Sequence, residues 1–112
     1  MQGWARGPCS SGATRQTMLV MDLPSFDAFA QSARARGFDE VLERVWAPDT
    51  VLPEHTHPFA VDALVVQGQM WLTVAGQTRE LRCGDAFTLE RDVPHDERYG
   101  PEGATYWVAR RN

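Results

Sequence analysis

The segment PEHTHPFAVDALVVQG, residues 53–68, sets two histidines one residue apart beside a proline and ahead of an apolar run that closes on glycine. The chain has only three histidines, so His55 and His57 commit most of its imidazole to one place. In a strand alternate side chains share a face, which points both rings the same way. Two imidazoles on one face can take neighbouring positions around a metal, and nitrogen donors suit Zn, Cu, Fe and Ni. Taken alone, the pair is a weak signal, and two surface histidines flanking a turn are the commoner reading of His-x-His.

The third histidine strengthens the metal reading. His95 lies in GDAFTLERDVPHDERY, residues 84–99, again just after a proline and again leading into a strand-like run. Between and around these segments the chain alternates short β-type runs with turn residues. VDALVVQ, QMWLTV, TRELR, DAFTLE, HDERY and ATYWVAR are separated by QG, AGQ, CGD, RDVP and GPEG. DEVLERVW, residues 39–46, fits a strand or a helix by pattern, and the breakers in APDTVLP after it favour a strand. Regular short strands with such punctuation predict a sandwich or a barrel.

Upstream, LPSFDAFAQSARARG predicts one short α-helix. Ser25 can cap it, Asp27 suits the positive end of its dipole and Gly37 suits its stop. Phe26, Phe29, Ala30 and Ala33 form one apolar face, suited to packing on a sheet. Residues 1–17 carry Gly, Ser and Pro with little periodicity and read as a disordered leader. MLVM at 18–21 could add a short strand at a sheet edge or a subunit contact.

These segments together resemble the cupins, small jelly-roll barrels also described as a double-stranded β-helix. His55, His57 and Gly68 match the first cupin motif, and Gly84 and His95 match the second, with Pro94 before the histidine. The resemblance covers roughly residues 38–110. It implies a mainly β fold with the barrel at 38–112, preceded by the strand and helix at 18–37. It also implies one divalent metal held by His55, His57 and His95, with iron the first expectation and Zn, Ni or Mn alternatives. Three-histidine iron centres in the cupins resemble thiol, β-diketone and gentisate-type dioxygenases, so a dioxygenase-type enzyme is the expected function. The alternative is a non-catalytic module that binds or senses a small molecule or a metal.

The match is incomplete. The family's glutamate ligand is missing: its spacing to Gly68 falls on Val61, with Asp62 next door. A bulge could turn Asp62 inward, or Asp62 could face solvent or pair with an arginine. Glu97 is a second candidate carboxylate, because it shares a strand face with His95, as does Tyr99. Glu97 and Tyr99 are therefore the expected catalytic or ligand-touching residues. Glu90 and Asp92 stand where the second motif has proline and glycine, so this turn could take another shape.

Composition narrows the classes. One domain is expected from 112 residues, 43% of them hydrophobic, with a formal net charge of −4. No basic surface suited to phosphate follows, so nucleic acid is not an expected partner. Every basic residue is arginine, which excludes a lysine Schiff base. The arginines are scattered, mostly beside acidic residues, and read as a compositional bias. Cys9 and Cys83 are the only cysteines. No apolar run approaches the ~20 residues of a membrane span, so a cytoplasmic protein with reduced thiols is expected. A small-molecule ligand and a homodimer complete the expected partners.

Overall fold

The computed structural model describes residues 23–112. The expected leader at 1–17 and strand at 18–21 lie outside the described residues. Helix α1 (Phe26–Ala35) is followed by β1 (Glu40–Trp46), β2 (Val51–His55), β3 (Ala60–Val74), β4 (Gln77–Arg82), β5 (Ala86–Leu89) and β6 (His95–Arg111). No helix among the described residues is long and apolar enough to cross a membrane.

The sheet is organised by two long strands. The N-terminal half of β3 pairs with the C-terminal half of β6, and this pairing is flanked by β1 on one side and β5 on the other. The C-terminal half of β3 pairs with the N-terminal half of β6, flanked by β2 and β4. Two half-sheets therefore share two bent strands, and their inner faces meet in one core that includes Val65, Met70, Leu81 and Tyr99. This is the jelly-roll arrangement of the cupins.

The bends sit where turns were expected. QG and GPEG do not end strands; they are irregularities within β3 and β6, where the register shifts between Val65 and Gln67 and again between Gly68 and Met70. Gly68 has φ +80°, and a Cβ there would collide with the carbonyl oxygen of Gly103. A Cβ on Gly103 would in turn strike the carbonyl oxygen of Trp46. Three strands cross at backbone distance here, which only glycine allows.

Helix α1 forms as its sequence predicts. The Ser25 hydroxyl accepts from the Ala28 amide at 3.0 Å, a cap that contributes about 1 kcal/mol. Its buried Ala30 and Ala33 pack on Val41 and Ala109, the outer face of β1 and β6. Phe26 and Phe29 meet the Trp107 ring at 5.5 and 5.9 Å. Cys83 is disulfide-bonded, where the sequence suggested a reduced thiol.

Candidate metal centre

Period-2 alternation decides which side chains reach the interior. On β6, His95, Glu97 and Tyr99 are buried while Arg98 is exposed. On β2, the irregularity between Leu52 and His55 lets His55 stand directly opposite His95. His57 lies beyond the end of β2, in the link to β3, and not in a strand as the spacing suggested. Its position is fixed instead by its carbonyl, which accepts from the Asp92 amide at 2.9 Å, and by its ring, stacked on Phe59 at 4.3 Å.

That Asp92 contact explains why the altered second motif still delivers His95. Asp92 takes φ +64°, the left-handed conformation expected of the glycine it replaces. Aspartate tolerates this region better than most residues. The turn shape is retained.

The three imidazoles converge, with ring nitrogens within 4.8 Å of one another. Each turns its Nδ1 to a backbone carbonyl: His55 to Pro53 at 2.8 Å, His57 to Phe59 at 3.2 Å and His95 to Val93 at 2.9 Å. A carbonyl oxygen only accepts, so Nδ1 carries a proton in each ring and Nε2 is the nitrogen left available to a metal. This is the orientation in which histidine ligates a metal through Nε2. The Nε2 of His95 is buried with no hydrogen-bond partner, a costly state that a bound cation would relieve. Desolvation by burial lowers the pKa of His57 despite its carbonyl bond, and the charges of His95 and His55 lower it further, all of which favours the neutral ligating form.

Glu97 joins this cluster. Its Oε2 lies 3.4 Å from His95 Nε2 and 3.8 Å from His55 Nε2. Its Oε1 accepts from the buried Tyr99 hydroxyl. The three imidazole nitrogens are a donor set that fits a divalent transition metal, and the carboxylate of Glu97 lies beside them. Tyr99 itself is stacked against Trp46 at 5.3 Å and does not line the cavity. It sits behind Glu97, so it holds that carboxylate and does not face a ligand directly.

Asp62 is not part of the cluster. Its carboxylate pairs with Arg36 at 2.7 Å on the outer face, near the C-terminal end of α1. The irregularity in β3 comes after Asp62, between Val65 and Gln67, and so leaves the alternation around it intact. Val61 consequently faces inward and lines the cavity.

Above the cluster is a cavity of about 140 Å³, similar to one that holds a benzene molecule. Trp46, Phe59, Tyr106, Arg44 and Arg110 contribute to its wall. Arg44 apart, nothing in the local sequence around these residues marks them as ligand-facing. For Arg44 a signal existed, because a strand at 39–46 puts it on the same face as Leu42 and Trp46.

Residues 37–110 match the family model described as the AraC-like ligand binding domain. No curated protein matches the chain. Among solved structures, the DMSP lyases RdDddP and RnDddQII superpose with a TM-score of 0.60 at 19% identity, over 64% of this chain and 37% of theirs. An RmlC-like cupin from Shewanella frigidimarina gives 0.57 at 21% identity, over 62% of each chain. The polyketide cyclase RemF from Streptomyces resistomycificus gives 0.56 at 27% identity, over 70% of this chain and 60% of its own. The matched region thus spans less than two thirds of each of these proteins. With its jelly-roll topology and its three clustered histidines, the chain is a small cupin and belongs to the AraC-like ligand binding domain family.

Proposed function

We propose that this cupin is a metal-dependent enzyme acting on a small molecule, its divalent metal held by His55, His57, His95 and Glu97. The observation that carries the proposal is the convergence of three imidazoles, each with Nδ1 tied to a backbone carbonyl, on the orphaned Nε2 of buried His95. When bound, such a metal supplies Lewis-acid activation of a substrate oxygen, or, as iron, the redox chemistry of a dioxygenase. The chain supplies the rest. Tyr99 holds Glu97 by one oxygen and leaves the other facing the histidines. Val61, Leu89 and Val108 line the cavity and exclude water from one side of it. Burial raises the pKa of Tyr106, so its hydroxyl stays protonated in this wall.

Elemental analysis of untagged protein purified without added metal, beside a His57→Ala control, tests the proposal. Near-stoichiometric metal that disappears in the control is the expected result. No metal in either sample, even after reconstitution, overturns it. Iron together with oxygen uptake on thiols, β-diketones or aromatic diols would support the dioxygenase form. Zinc, nickel or manganese without oxygen uptake would leave Lewis-acid chemistry of the lyase or cyclase kind, as the RemF likeness suggests.

The family match favours a second reading, a ligand-sensing module without turnover. Ligand-dependent thermal stabilisation with no product formed would select it.

A further inference from the structure

The cavity beside the histidines also carries two guanidinium groups in unequal circumstances. Arg44, on β1, packs over the Trp46 ring at 4.8 Å and forms no ion pair among the described residues. Arg110, on β6, packs over the Phe59 ring at 4.5 Å, and its Nη1 lies 3.4 Å from the carboxylate of Glu40. Its Nε is buried without a hydrogen-bond partner. Both arginines line the same cavity as His55, His57 and Glu97.

The stacks give these cations fixed positions. Arg110 lies on Phe59, which lies on His57. Arg44 lies on Trp46, which lies on Tyr99, the residue bonded to Glu97. An arginine held on an aromatic face keeps its N–H edge free for an acceptor and loses little entropy on binding one. A half-buried cation with no counterion favours an anionic guest, and guanidinium matches the planar fork of a carboxylate. Glu40 already offsets Arg110, so of the two cavity arginines Arg44 is the one without a paired carboxylate among the described residues, and a carboxylate on the guest would supply it. Val61, Leu89 and Val108 add an apolar stretch to the wall, which suits a compact hydrocarbon body.

We infer that Arg44, assisted by Arg110, is a carboxylate subsite, and that the ligand of this cavity is a small organic carboxylate about the size of one aromatic ring. The inference names the substrate class of the proposed metal site and rests on that reading for its location. The carboxylate binds Arg44, and the body of the acid extends toward the histidines.

The test is calorimetric titration of the zinc-reconstituted full chain with benzoate and with its neutral isostere benzamide, with zinc content measured on every sample. Benzoate is expected to bind at least about 10-fold more tightly than benzamide, a gap of about 1.4 kcal/mol. Arg44→Gln should abolish that preference and Arg44→Lys restore part of it. Arg110→Gln should weaken benzoate less than Arg44→Gln does, because Glu40 already neutralises Arg110. Equal binding of the two probes, no binding of either, or an unchanged benzoate affinity in Arg44→Gln overturns the subsite. If Arg44→Gln does not fold, the two remaining variants decide. Should no sample retain zinc, the metal reading fails; an Arg44-dependent benzoate preference in those samples would still support the subsite. Retained zinc without the preference overturns the subsite and leaves the metal reading standing.

Discussion

His55 and His95 face each other across β2 and β6 and use the same local device, an Nδ1 bonded to the carbonyl two residues earlier. Their surroundings differ. The His95 side chain is fully buried and that of His55 is 37% exposed. His95 also continues into Glu97 and Tyr99 on one regular strand, whereas His55 ends an irregular strand and His57 follows in a link. One arm of the site is thus built into the core, and the other lies at the lip. Of the two arms, the core one is held by packing on every side and the lip one is partly open to solvent.

Removing one histidine from each arm tests this division most severely. Both His95→Ala and His55→Ala should lose tight metal binding, since each deletes a ligand. Stability of the metal-free protein should separate them. His95→Ala leaves a cavity and an unpaired Val93 carbonyl, at a cost of about 2–4 kcal/mol. His55→Ala, at the lip, should cost less than about 1 kcal/mol. Chemical denaturation beside elemental analysis gives both readings. Equal destabilisation would erase the distinction between the arms.

Within the core arm, Glu97→Gln keeps the shape and removes the charge. Metal affinity measured by chelator competition should fall by about 10–100-fold, the range even a supporting carboxylate shows. Unchanged affinity would remove Glu97 from the coordination set and return the site to three histidines.

Tyr99 should contribute less, because it acts through Glu97. Tyr99→Phe removes the hydroxyl bonded to Glu97 and should cost about 1 kcal/mol of stability, with a smaller loss of metal affinity than Glu97→Gln. Its pH signature is specific. Burial raises the pKa of Tyr99 and, likewise, of Tyr106, so both stay protonated in the fold. Their contribution is complete below the unfolded value of about 10 and is lost as pH rises from there toward the folded values. Denaturation midpoints should therefore decline above about pH 10, and Tyr106→Phe should flatten the decline. A midpoint insensitive to alkali in the parent protein would contradict the burial of these hydroxyls.

Much of this was legible in the residues because it depends on short-range chemistry. Ser25, Phe26 and Ala33 specify the helix, and the spacing of His55, His57 and His95 brings the three together once the motifs are known. The features that the residues do not show depend on pairing between distant strands. Nothing local in GPEG says that it is a bend within β6 and not a turn, since Gly103 is needed there only because Gly68 and Trp46 cross it. Arg44 and Arg110 looked like scattered charge because they are remote in sequence. Only the alternation of β1 and β6 puts both on the inner wall.

Asp62 shows the same limit from the opposite side. Next to the position where the cupin pattern has its glutamate, it looks like a displaced ligand. The parity of β3 turns it outward, and Arg36 receives it. The Arg36 side chain is 48% exposed, so the pair is screened by water and should contribute under about 0.5 kcal/mol. Asp62→Asn should accordingly change neither metal affinity nor stability beyond that amount, the smallest effect of the series. A substantial loss of metal affinity in Asp62→Asn would mean that β3 rotates when metal binds. The lip arm would then extend beyond His55 and His57 into β3, and Val61 could not keep its place in the cavity wall.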